Sequence, residues 1–176
     1  AAGCGYMYEI KRQGKGTTRK LDPVSRQISS VPITASVVSD ENMPDSYAWN
    51  DGLWMIKRKK EAGKKKPVTV YEVSLTDWLK EKSADELVDF VKQEGYTHVC
   101  FLPVAEYLNE EMNGYSTLGY FAVTHRTGGS DAFKKLVDDC HNAGIGVIID
   151  WNGAYFGTEV KGLYDFDGAD AYGYLK

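Results

Sequence analysis

The sequence predicts an α/β protein built on a parallel sheet, and three observations carry that expectation. The run Gly144-Ile145-Gly146-Val147-Ile148-Ile149-Asp150-Trp151 is apolar without alternation until it ends in a carboxylate and an indole, the pattern of a strand covered on both faces. From Pro67 onward, strand-like and helix-like stretches alternate, which predicts parallel pairing through right-handed crossovers. Before that point the texture differs: residues 1–40 carry short β-type segments, and residues 41–66 read as a connector.

Within residues 1–40, Gly5 to Ile10 alternates moderately, Arg12 to Gly16 supplies a glycine-containing turn, and Thr17 to Leu21 can return as the partner strand. Asp22-Pro23 breaks the run and Ile33 to Val38 offers another strand. A whole β-sandwich needs about seven strands, so this segment reads as the C-terminal part of one. In the connector, Tyr47, Trp49, Trp54 and Met55 are expected to be packing anchors. The basic run Lys57-Arg58-Lys59-Lys60 and then Lys64-Lys65-Lys66 is expected to be solvated, because no aromatic residue interleaves within it.

Residues 67–176 form the α/β part. Val68 to Leu75 reads as its first strand. Ser83-Ala84-Asp85-Glu86 is a capping box, in which Ser83 and Glu86 satisfy each other's free backbone N–H groups. Leu87, Val88, Phe90 and Val91 make the apolar stripe of that helix, and Gly95 fits its stop. Thr97 to Val104 reads as the second strand. Ala105 to Gly129 is expected to be a long loop, far beyond the two to six residues typical of such connections, and binding is normally built on loops of this kind. Ser130-Asp131 is expected to cap a second helix with Phe133, Leu136, Val137 and Cys140 on one face and Gly144 as its stop, before the third strand at Ile145 to Asp150. After Trp151 the pattern dissolves into Gly, Tyr and Asp, so the architecture is expected to stop part-way.

Composition narrows the function. In 176 residues, 43% hydrophobic, there is enough apolar material for a packed core. A net charge of −4 gives no global support to phosphate neutralisation, so no nucleic-acid partner is expected. No apolar run approaches the roughly 20 residues that span a bilayer, so no membrane partner is expected either. Cys4, Cys100 and Cys140 are odd in number and lack metal-type spacing; Cys100 and Cys140 read as small buried hydrophobes in a reducing, cytoplasmic compartment. His98, His125 and His141 show neither metal-ligand nor triad spacing, and Gly14-Lys15-Gly16 and Gly128-Gly129 lack nucleotide-loop spacing, so neither metal nor cofactor is expected.

What remains is carboxylates and aromatics. Tyr107, Tyr115 and Tyr120, and then Tyr155, Tyr164, Tyr172 and Tyr174, lie near carboxylates. Such rings suit carbohydrate, whose C–H faces stack on them, and they suit equally the pinning of long loops. Glycosidic chemistry needs two carboxyl groups flanking the bond. Asp150 is the only carboxylate at a predicted strand tip, so the residues alone identify no catalytic pair.

The stretch from Asn113-Gly114-Tyr115 through Thr124-His125-Arg126 to Cys140-His141-Asn142-Ala143-Gly144 and Asp150-Trp151 resembles the barrel of bacterial 1,4-α-glucan (glycogen) branching enzymes, in the α-amylase superfamily. Tyr71-Glu72-Val73-Ser74-Leu75, Asp85-Glu86-Leu87-Val88, Gly95-Tyr96-Thr97-His98-Val99 and Leu102-Pro103-Val104 extend the resemblance upstream, and Phe166-Asp167-Gly168 extends it downstream. Tyr6-Met7-Tyr8-Glu9-Ile10 and Asp22-Pro23 look like the end of the β-sandwich glucan-binding module preceding that barrel.

The resemblance implies the first three βα units of a (β/α)8 TIM barrel, and α-1,4-glucan as partner, cleaved and transferred to a 6-hydroxyl without a cofactor. It places no catalytic residue in the chain, because the nucleophile and the acid/base are expected beyond Lys176. It implies substrate contacts at Tyr115, which would stack on the sugar, at Asp150 and Trp151 on the strand tip, and at Tyr155, which stands where the family has a sugar-binding histidine. Ser74 and Ser116 also depart from the family's Y-E-V-H and W-G-Y-Q patterns. These departures keep open a second reading, a non-catalytic glucan-binding or partner-binding scaffold. A free-standing flavodoxin-like domain is disfavoured, because a three-stranded sheet leaves an apolar edge open to self-association.

Overall fold

The computed structural model describes residues 2–14, 16–29, 33–39, 47–154, 156–158 and 161–168. In chain order the first strands are β1 (Gly5–Tyr6), β2 (Tyr8–Arg12), β3 (Gly16–Lys20), β4 (Ile28–Ser29) and β5 (Ala35–Val37). Next come α1 (Gly52–Glu61), β6 (Val70–Val73), α2 (Leu75–Trp78), α3 (Ala84–Gln93) and β7 (His98–Phe101). The remainder is β8 (Ala105–Tyr107), β9 (Thr117–Val123), α4 (Gly129–Asn142) and β10 (Gly146–Ile149). Two compact units result, and both are discontinuous in sequence: residues 1–42, 105–125 and 152–176 form one, and 43–104 with 126–151 form the other.

The second unit holds the expected parallel sheet. Its order is β10-β7-β6, with Val70 and Gly146 both in register with His98, and Val73 and Ile149 both in register with Phe101. Strands consecutive along the α/β alternation are thus neighbours in space. Side chains alternate across a strand, so Val99 and Phe101 share a face. Both are fully buried there, and Phe101 meets Phe133 of α4 edge-on at 5.5 Å. On β6, Tyr71 packs against Phe90 of α3 at 5.1 Å.

The opposite face carries Val70, Glu72, His98, Cys100, Gly146 and Ile148, and Val70 and Ile148 remain 43% and 40% exposed. The apolar run at β10 predicted cover on both faces, whereas among the described residues helices cover one. Strand bounds also tighten. The first strand stops at Val73 because Ser74 turns to cap α2, its Oγ accepting the Asp77 N–H at 3.3 Å.

Helix α3 starts as expected: Ser83 Oγ accepts the Glu86 N–H at 3.2 Å, and Glu86 Oε2 accepts the Ser83 N–H at 2.7 Å. It buries Leu87, Val88 and Val91, each contributing roughly 1.5–3 kcal/mol when fully withdrawn from water. Helix α4 begins earlier than expected. Gly128, at φ +85°, is its N-cap, so Ser130 and Asp131 fall inside the first turn. Phe133, Leu136 and Cys140 are buried on its inner face.

The connector contains a helix the sequence did not announce. Asp138, buried on α4, gathers the chain before it, accepting the Tyr47 hydroxyl at 3.0 Å and the Asn50 N–H at 3.0 Å. Helix α1 is then held by Trp54 stacked on His141 at 5.0 Å, while His141 Nδ1 lies 2.8 Å from Asp51.

In the first unit, β2 and β3 form the expected antiparallel hairpin, and β5 pairs with both β1 and β4. Residues 105–129, expected to be a loop, contain a second hairpin of β8 against β9. Leu21, Ile28, Leu118 and Ala122 form a core that joins this hairpin to the N-terminal strands. Gly119 permits the approach, since a Cβ there would lie 2.5 Å from the tip of Ile28. The segment 161–168 docks on the first hairpin. Lys161 O accepts the Leu21 N–H, the buried Lys20 donates to Tyr164 O at 2.5 Å, and Arg12 bonds Asp165 at 2.8 Å. Burial pushes the Lys20 ammonium pKa down, and the neighbouring Arg12 charge pushes the same way.

Candidate functional site

Asp150 ends β10 in the position expected of it. Its N–H still bonds Phe101 O at 2.8 Å, so the sheet holds it one residue past the strand, half-buried. By the two-residue period it belongs to the face of Ile148, the face that also carries Cys100 and Glu72. Burial raises the Cys100 thiol pKa, and the charges of Glu72 and Asp150 push it the same way. Two carboxylates, Glu72 on β6 and Asp150 just past β10, thus act on Cys100 toward the carboxyl end of the sheet, where parallel α/β folds build their sites. Trp151 follows with its indole 64% exposed.

Tyr115 lies in the other unit. A 3-10 turn at Glu110–Met112 leads into Asn113 (φ +48°) and Gly114 (φ +87°), and the Tyr115 N–H closes the turn on Met112 O at 2.9 Å. This left-handed pair aims a half-buried tyrosine just before β9. Tyr120, on β9, reaches Gly153 O at 3.4 Å, and burial raises its pKa. Tyr155, Tyr172 and Tyr174 lie outside the described residues. Asp150 and Trp151 are thus adjacent on one element, and Tyr115 is placed independently of them.

Glu106, a densely bonded polar group, carries no signal in the sequence pattern. It is 2% exposed and accepts the N–H groups of Tyr107 (3.1 Å) and His125 (2.9 Å), the Thr124 hydroxyl (3.1 Å) and His125 Nδ1 (2.9 Å). A carboxylate on Nδ1 fixes the imidazole and turns Nε2 outward. His125 borders a cavity of about 1040 Å³ with Tyr6, Glu9, Arg19 and Gln27. Tyr6 donates to Asp22 at 2.5 Å, and that bond raises its phenol to a pKa of about 12. The same wall carries Ile28, Ile33, Ala35 and Val37, and Arg19 lies 3.8 Å from Glu9. Among the described residues no cluster of His, Cys, Asp or Glu could hold a metal ion, and no helix is long and apolar enough to cross a membrane.

No family model matches the chain. Curated relatives do: over 180 residues, 97% of this chain, it is 40% identical to the 1,4-alpha-glucan branching enzyme GlgB of Methylococcus capsulatus. Over 182 residues, 98% of the chain, it is 37% identical to GlgB of Lactiplantibacillus plantarum. The chain is homologous to a segment of 1,4-alpha-glucan branching enzymes. It spans about a quarter of the length of these relatives, 24% and 28% respectively. A crystal structure of a Salmonella typhimurium protein assigned as an alpha amylase aligns with a TM-score of 0.64 at 25% identity, covering 88% of this chain and 25% of that one. The α/β fold is thus similar to that of an α-amylase-type structure.

Ser74 and Ser116, the positions expected to depart from the branching-enzyme pattern, each have local work. Ser74 is the N-cap of α2, and Ser116 is buried with its Oγ so near Gly157 that a Cβ there would approach it to 2.7 Å. Cys140, as expected, is a buried thiol, its pKa pushed up to about 12 by desolvation.

Proposed function

We infer that the chain is the front part of a glucan-active protein of the branching-enzyme type. In this reading residues 1–40 end a β-sandwich glucan-binding module, 41–66 connect, and 67–176 supply the first three βα units of a (β/α)8 barrel. The whole protein cleaves α-1,4-glucan and transfers the chain to a 6-hydroxyl in the cytoplasm. Tyr115, Asp150, Trp151 and Tyr155 contact the glucan, and the nucleophile and acid/base lie in the remainder of the barrel. The observation that carries this is similarity along 97% of the chain, coupled to consecutive strands pairing in parallel with Glu72 and Asp150 toward their carboxyl end. The open sheet face supports self-association of the chain when it is expressed alone.

A chimera tests the enzymatic reading. Replacing the matching segment of the Methylococcus capsulatus enzyme with this chain should give a folded protein that branches amylose more slowly than its parent, read by iodine staining and linkage analysis. The Tyr155→His chimera should recover at least about tenfold, the usual order for restoring a positioned donor. The isolated chain should show no turnover. A chimera that melts like its parent yet leaves amylose unbranched would favour the scaffold reading, which the structural employment of Ser74 and Ser116 supports.

A further inference from the structure

The basic run of the connector occupies a place in the fold that the glucan reading does not use. After α1 the chain reverses at Gly63 (φ +82°), and Lys57, Arg58, Lys64 and Lys66 come to line one cavity of about 780 Å³ with Trp54, His98 and His141. Among the described residues Glu61 is the only acidic residue on its wall; Lys66 bonds it at 2.7 Å, and the charges of Lys57 and Lys64 also lower its pKa. Lys57, Arg58 and Lys64 make no ion pair among the described residues. Both imidazoles are fastened through Nδ1, His98 to Thr97 Oγ1 and His141 to Asp51, each at 2.8 Å. Their Nε2 atoms and the Trp54 indole N–H have no hydrogen-bond partner among the described residues. The wall is also shaped: the His98 ring fills the space over Gly146 that a side chain would take.

Basic residues in the last turn of a helix complement its dipole, and Arg58, Lys59 and Lys60 do so on α1. That role does not explain why Lys64 and Lys66, beyond the helix, return to the same concavity, nor why Lys59 and Lys60 are not part of it. A neutral glucan would use the indole and leave Lys57, Arg58, Lys64 and Lys66 with Glu61 as their one carboxylate among the described wall residues. A long polyanion is disfavoured by the net charge of −4.

We propose that this cavity binds a small phosphorylated molecule. Its phosphoryl oxygens meet Lys57, Arg58 and Lys64 in charge-assisted hydrogen bonds, with Arg58 offering a planar fork, and its ring lies beside Trp54. The inference uses none of the glucan-contact residues, and because the wall along Gly146, Val147 and Ile149 belongs to the open edge strand β10, the site is one of the 176-residue chain. Because the cations are exposed, binding should weaken with salt.

Calorimetric titration of the 176-residue chain with glucose 6-phosphate, inorganic pyrophosphate and maltohexaose, in 20 mM and 300 mM salt, tests it; these are roughly the regimes of weak and strong screening. The expected result is binding of glucose 6-phosphate that weakens by about tenfold or more in Arg58→Ala/Lys64→Ala and by less than about twofold in Lys59→Ala/Lys60→Ala, which lie outside the cavity. Trp54→Leu should weaken glucose 6-phosphate more than pyrophosphate; equal weakening of the two would show that free phosphate groups, not the ring, are recognised, and would overturn the ring contact. No binding of either phosphate, equal loss in the two double variants, or maltohexaose binding as tightly as glucose 6-phosphate would overturn the site.

Discussion

Glu106 accepts bonds from Tyr107, Thr124 and His125 while almost wholly withdrawn from water. Removing a buried acceptor strands its donors at a cost of about 1–3 kcal/mol each, whereas losing one neutral hydrogen bond costs about 0.5–1.5 kcal/mol. Glu106→Ala should therefore lower unfolding free energy by more than about 2 kcal/mol and Thr124→Val by about 1 kcal/mol, measured by urea denaturation. Similar losses would mean that the carboxylate does not organise this corner. At α3, the bond from the Ser83 N–H, followed by that from the Ser83 hydroxyl, lowers the Glu86 pKa. A carboxylate with a depressed folded pKa stabilises above its unfolded pKa and loses that contribution as pH falls through the folded one. Protection of the Ser83 amide against exchange should accordingly drop on acidification below the ordinary glutamate range, and Glu86→Gln should be flat there. The contrast explains what could be read at this scale. The Ser83–Glu86 box spans three positions and is visible in sequence, while Glu106 and His125 are nineteen apart and meet only because β8 and β9 pair.

At the level of elements, α3, the parallel strands and the β2–β3 hairpin were legible because each has a period and a punctuating residue. Helix α1 was not. Its apolar residues Leu53, Trp54, Met55 and Ile56 are consecutive, Leu53 is 83% exposed, and the helix buries no residue, so it has no apolar stripe to detect. The start of α4 was misplaced because Gly128 caps it by backbone conformation and not through a side chain. Gly119 hid the β8–β9 hairpin, since a glycine inside an apolar stretch reads as a break although here it is the point where Ile28 packs. Gly146 does similar work in β10. A Cβ there would fall 2.3 Å from the His98 ring, and overpacking of this kind costs about 1–3 kcal/mol. Gly146→Ala should destabilise by that amount in thermal melts, and His98→Ala should suppress most of the penalty when the two are combined; simple additivity would show that the ring is not the obstacle.

For the molecule as a whole, the apolar run at β10 encodes more burial than the described residues supply. On the open face Ile148 and Val70 remain 40% and 43% exposed, and β6 and β10 each have one strand neighbour among the described residues. Relatives about four times as long contain the further sequence from which such a face could be covered. In its absence, apolar side chains and unpaired edge groups offer themselves to another copy, since an uncapped edge is a template for pairing. The isolated 176-residue chain should therefore sediment as a concentration-dependent mixture of monomer and larger species. Val70→Lys/Ile148→Lys should shift it toward monomer while retaining its circular dichroism, because charge on an open face blocks association without touching the Val99–Phe101 layer against the helices. Wild-type chain that stays monomeric across the concentration range and melts in one cooperative step would show that the sheet face is already satisfied, and the incomplete-barrel reading would lose its physical support.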